Sequence, residues 1–174
     1  MRTLLSALIA AGALALAGCG LQPMYAGGSN AAVARSIAAV DVPPIPGRGG
    51  WLLRNALQER FGAAGEVNPA YRLDVRVDDA LEALGVLNDD TISRERRILR
   101  TRYQLIDLAN GEILLDATAG SDAGIDVVSS EYATIAAEQT ALENLSKEVA
   151  ERMATQVALT LRKRADKAGQ QAGQ

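Results

Sequence analysis

The chain has 174 residues, 18 basic and 21 acidic for a net charge of −3 at neutral pH, with one cysteine and no histidine. Nucleic acid is excluded as a partner on that balance, because phosphate binding calls for a strongly basic face. Without histidine the chain lacks the usual general base and the commonest transition-metal ligand, and a lone thiol forms no intramolecular disulfide. No paired-acid motif, glycine-rich phosphate loop or serine-centred elbow stands out, so the expectation is a non-enzyme without cofactor or metal.

The first stretch sets the cell biology. Arg2 is followed by an apolar run from Leu4 to Ala17, shorter than the ~20 residues of a spanning helix and laid out as a secretory leader. Leu16-Ala17-Gly18-Cys19 resembles the bacterial lipobox, in which the chain is cut before the cysteine and the new N-terminal cysteine is lipidated. Residues 1–18 are therefore read as a lipoprotein signal peptide and Cys19 as the lipidation site. Two or more acyl chains hold a protein to a bilayer. Gly20, in place of the Asp common in inner-membrane-retained lipoproteins, points to the outer membrane. Loss of Arg2 with the leader leaves a mature chain of about 156 residues and a net charge of about −4, a common size for one domain.

Residues 19–35, with Gly20, Pro23, Gly27, Gly28, Ser29 and Asn30, read as a flexible tether. A short strand is expected over 36–42, where Ile37, Val40 and Val42 are apolar and Pro43-Pro44 removes two ladder donors. Leu53, Leu57 and Phe61 then recur every four residues, which predicts an amphipathic helix over 51–61 ending at Gly62. From 71 to 78 the period becomes two: Tyr71, Leu73, Val75 and Val77 share one face, and Arg72, Asp74, Arg76 and Asp78 the other. A turn is expected at Asn88-Asp89-Asp90.

The strand predicted over 92–108 places Leu99, Thr101, Tyr103 and Leu105 inward. Asn110-Gly111 offers the positive-φ geometry of a hairpin. The return strand carries Ile113, Leu115, Ala117 and Ala119 inward and Leu114, Asp116 and Thr118 outward. Residues 129–164 show Ile135, Leu142, Leu145, Val149, Met153, Val157 and Leu161 at helical spacing, roughly 54 Å of helix. Arg162, Lys163 and Arg164 would close it where the helix dipole favours cations. Residues 166–174 read as a disordered tail. The predicted fold is a single α+β domain over 36–165, a two-layer sandwich with two helices on one face of about four mainly antiparallel strands.

With these elements in place the chain resembles the lipopolysaccharide-assembly lipoprotein family, LptE, in its alphaproteobacterial form. Cys19-Gly20-Leu21-Gln22-Pro23-Met24-Tyr25 and Tyr132-Ala133-Thr134-Ile135-Ala136-Ala137-Glu138 carry most of the likeness. Arg54-Asn55-Ala56-Leu57 and Tyr71-Arg72-Leu73-Asp74-Val75 fit the same layout more weakly. The resemblance implies a non-enzymatic protein that partners and plugs the LptD β-barrel translocon in the outer membrane, helps it assemble, and supports delivery of lipopolysaccharide to the outer leaflet. The alternative is a free-standing periplasmic lipid-binding lipoprotein or an accessory subunit of an inner-membrane transporter.

The residues supply their own candidate for lipopolysaccharide, whose phosphates suit guanidinium groups. Arg94, Arg96, Arg97, Arg100 and Arg102 fall within nine residues, opposed only by Glu95. Cross-strand pairing with Asp74, Asp78 and Asp116 is expected to occupy Arg100 and Arg102. Arg94, Arg96 and Arg97, nearer the turn, are the anion-binding candidates. Ile98, Ile106 and Leu114 on the same outer face also suit contact with a barrel wall.

Overall fold

A computed structural model describes residues 29–62, 68–86 and 92–172. The expected leader, Cys19, the stretch from Leu21 to Tyr25 and the turn at Asn88-Asp89-Asp90 lie outside the described residues. The elements are α1 (Ser29–Ala38), β1 (Val40–Asp41), α2 (Gly47–Phe61), β2 (Tyr71–Val86), β3 (Ile92–Asp107), β4 (Ile113–Asp126) and α3 (Glu131–Ala172). The strands form one sheet in the order β1-β2-β3-β4. β1 runs parallel to β2 and the longer pairs are antiparallel, so the α+β sandwich holds with a mixed sheet.

Several stretches depart from the expectation, α2 among them, which starts at Gly47 rather than at residue 51. Residues 29–38 form α1, replacing the end of the tether and the start of the first strand. The run is rich in alanine, the best helix former, and Val33 and Ile37 stand four apart; Ile37 packs against the core. Only Val40 and Asp41 remain for β1, which stops before Pro43-Pro44. At the other end α3 continues through 166–172, where a disordered tail was expected, and its 42 residues span roughly 63 Å.

The period-two faces of β2 and β3 fold as read. Leu73 lies opposite Leu105, Val75 opposite Tyr103 and Val77 opposite Thr101, and Leu73, Leu99, Tyr103 and Leu105 are fully buried. Leu53 and Leu57 of α2 and Leu142, Val149, Met153 and Val157 of α3 close the core over them. Thr101, the polar member of the row, donates to the Ala119 carbonyl at 3.1 Å, which satisfies its buried hydroxyl.

In β4 the phase breaks. Leu105 pairs with Leu115 but Ile106 pairs with Ile113, so Leu114 is one residue extra. Such a bulge turns the residues beyond it to the opposite face. Ile113, expected inward, is 53% exposed, while Leu114, expected outward, packs against the core. Gly111 takes φ +72° at the turn before it, as its position after Asn110 required.

Ile135 is also displaced from its expected place in the core and is 43% exposed. The helical layer is two helices wide only from the start of α2, where a Cβ on Gly49 would stand 3.5 Å from both Leu142 and Leu99. Ile135 precedes that level. Next to Gly49, Gly50 leaves no room for a side chain, since its Cβ would come within 2.8 Å of the Ile45 carbonyl oxygen.

Candidate functional site

Both long helices cover one face of the sheet, and the other face carries the charged half of each period-two strand. On it Arg94 donates from Nε to Asp126 at 3.0 Å, and Arg96 lies 3.5 Å from Asp122. Arg102 makes a two-pronged contact with Asp116, Nε to Oδ1 at 3.1 Å and Nη2 to Oδ2 at 3.0 Å, and Gln104 adds a 2.8 Å bond to the same carboxylate. The Arg102 and Gln104 hydrogen bonds hold the Asp116 carboxyl below the usual carboxylate range.

The arginine candidates therefore separate. Arg94 and Arg96 share the open face. Arg97, one residue out of phase with them, points under the helices: it grips Asp79 with Nε to Oδ1 at 2.9 Å and Nη2 to Oδ2 at 2.8 Å, and reaches the Glu138 carbonyl of α3 at 3.3 Å. Its side chain is 17% exposed and that of Asp79 23%. The Asp79 hydrogen bond raises the Arg97 pKa against the opposing effect of burial. A Cβ on Gly49 would meet Asp79 Oδ2 at 3.4 Å, so this carboxylate sits at the first turn of α2, which has no acidic residue of its own. Arg97 ties sheet and helices together and is withdrawn from the anion-binding set.

Register replaces it with residues that spacing alone did not select. Arg76 lies directly opposite Arg102, and Arg100 opposite Asp78 on one side and Gly120 on the other. Among the described residues, Arg76 and Arg100 have no ion-pair partner within 4.0 Å, so the expected pairing of Arg102 is found and that of Arg100 is not. These two guanidiniums border a groove of 670 Å³, which Arg96, Ile98, Arg102 and Thr118 also line. Gly120 keeps its floor low, since a Cβ there would press within 3.1 Å of the Leu99 carbonyl. The groove sets four guanidinium groups, with the carboxylates of Asp78 and Asp122, beside Ile98. Like charges opposed across a ladder are destabilising, and an anion between Arg76 and Arg102 would relieve that repulsion.

The fold has relatives among solved lipoproteins. A lipoprotein from Caulobacter crescentus CB15 is 26% identical with a TM-score of 0.65, over 76% of this chain and 97% of that one. Rare lipoprotein B from Shewanella oneidensis shares the fold at 11% identity and a TM-score of 0.53, over 70% and 92%. Lipoprotein B from Nitrosomonas europaea does so at 16% and 0.51, over 68% and 79%. No curated protein sequence matches significantly. The family model described as "LptE: Lipopolysaccharide-assembly" matches residues 37–157, from the end of α1 to the buried Val157 of α3, and so takes in the whole sheet, α2 and α3 as far as Val157. The chain belongs to the LptE lipopolysaccharide-assembly family.

Proposed function

We propose that this chain is an outer-membrane lipoprotein, held on the periplasmic face through lipidated Cys19, that partners and plugs an LptD-type β-barrel. It aids assembly of the barrel and delivery of lipopolysaccharide to the outer leaflet, without catalysing a reaction. The observation that carries this reading is the family match across residues 37–157. The leader and lipobox support the anchor, and the sheet face that neither long helix covers, rich in guanidinium groups, supplies the surface. Lipopolysaccharide meets it through its phosphates. Arg94 and Arg96 are anion contacts in this reading, joined by the unpaired Arg76 and Arg100.

A mild-detergent pull-down of the tagged lipoprotein from its native membranes, with Cys19→Ala as control, tests the partnership. The expected result is a near-equimolar outer-membrane β-barrel identified by mass spectrometry. Recovery alone, or with inner-membrane transporter subunits, overturns it. Direct contact is read separately, by binding of purified lipopolysaccharide to the folded Arg94→Gln/Arg96→Gln and Arg76→Gln/Arg100→Gln proteins. Weaker binding is expected of both, and unchanged binding by both removes lipopolysaccharide from this face.

A further inference from the structure

The basic cluster near the end of the chain has lost its simple explanation. Were the helix to stop at 164, Arg162, Lys163 and Arg164 would answer its dipole, but α3 runs on to Ala172 and its last turn contains no basic residue. Arg164 is engaged locally, donating from Nη2 to Asp107 at 2.5 Å and from Nη1 to Glu112 at 3.3 Å, which fastens α3 to the turn between β3 and β4. Arg162, Lys163 and Lys167 are exposed and have no ion-pair partner among the described residues. Lys163 and Lys167 lie one turn apart on one helix face. Both border a 430 Å³ groove against Glu112, Ile113, Leu114 and Thr160.

Exposed apolar side chains share this end of the fold. Leu108, Ile113 and Leu159 are all exposed, and Leu159 stands one turn before Lys163. Lysines that share a groove with Ile113 and Leu114, and have no ion-pair partner among the described residues, suit the headgroup region of a bilayer. Glu112, which also borders the groove, and Asp107 are both held by Arg164, and Asp166 lies between the two lysines in sequence.

The route of the chain lets this pole reach the membrane. The Ala39 carbonyl, just after α1, accepts from Ala70 and Tyr71, and Leu108 donates to Ala70, so α1 ends beside the exposed turn. From Ser29, at the far end of α1, ten residues lead back to Cys19, a reach of at most about 36 Å. We propose that this pole, with Lys163 and Lys167 at its centre, rests on an anionic phospholipid surface. The proposal builds on the anchor at Cys19 and is independent of the barrel and of lipopolysaccharide.

The chain's three lysines are Lys147, Lys163 and Lys167, and Lys147 lies on α3 about 24 Å from Lys163, so each molecule holds its own reference. The lipidated protein is reconstituted in vesicles of phosphatidylcholine alone or with about 30% phosphatidylglycerol, and amine-reactive labelling of each lysine is followed by mass spectrometry. On the anionic vesicles Lys163 and Lys167 are expected to react about fivefold more slowly, Lys147 equally fast on both, and about 0.5 M salt to restore the rates. Equal rates on both vesicles, or equal slowing of Lys147, overturns the proposal. Absence of lipid on Cys19, seen in the intact mass, is a failure of the anchor reading alone. The unlipidated chain is then given the same vesicles in excess and judged by the same three rates.

Discussion

At the scale of single residues, two arginines show how one step along a strand changes a side chain's task. Arg96 stands in solvent on the open face; Arg97 lies beneath the helices in a two-pronged grip on Asp79. Truncating Arg97 leaves the Asp79 carboxylate without its two-pronged donor and removes the tie to α3, so Arg97→Ala is expected to lower stability by about 1–3 kcal/mol in urea unfolding. Arg94→Gln/Arg96→Gln removes only exposed pairs and is expected to cost less than about 1 kcal/mol. Equal losses would show that Arg97 is no more structural than its neighbours. Arg76 behaves in the opposite sense. It faces Arg102 across the ladder, so Arg76→Gln is expected to leave stability unchanged or raise it by roughly 0.2–1 kcal/mol. The same change weakens lipopolysaccharide binding in the proposed reading. A substitution that gains stability and loses binding marks a charge kept for a ligand.

At the scale of elements, the seat of α2 depends on a glycine. Gly50 packs against the Ile45 backbone with no room for a methyl group, and Gly50→Ala is expected to shift the helix at a cost of about 1–3 kcal/mol, measured by thermal or urea unfolding. Gly111, whose side-chain position is open but whose φ is positive, responds through backbone strain instead. The bulge at Leu114 belongs to the same level. It returns the sheet face to solvent at Ile113 and places that side chain beside the α3 lysines. Alternation read from the sequence carries a constant phase through 113–119, and a bulge is the one event alternation does not announce.

For the molecule as a whole, the core is concentrated in one half of the sheet. Leu73, Leu99, Tyr103 and Leu105 are sealed by two helices, while Leu81 and Ala83, further along β2, are exposed. Beyond Arg72, β2 has only β3 as a strand neighbour among the described residues. Amide hydrogen exchange should follow this division, with residues 80–84 exchanging about a hundredfold faster than residues 99–105. Uniform protection along β2 would contradict it. The proposed roles occupy different regions: the open face for the phosphorylated ligand and the pole at residues 162–167 for the membrane.

Much of this protein is written in local patterns. The periods of 71–78, 92–108 and 51–61 specify which side chains are buried, because alternation and four-residue spacing are properties of each element alone. The fold class followed, as did the family resemblance and the separation of Arg94, Arg96, Arg100 and Arg102 from the inward row. What the tertiary structure decided is partnership. Pairing of Arg97 with Asp79, the opposition of Arg76 and Arg102, and the freedom of Arg100 beside Gly120 depend on the register between strands, which is fixed by the packed core and a bulge rather than by spacing within either strand. The same holds for residues 29–38, where a composition suited to a tether becomes helix; residues 166–171 are exposed and prolong a helix already nucleated. Helix propensity is weak and short helices are marginal in water, and it is packing of α1 against the rest of the fold, through residues such as Ile37, that tips the balance.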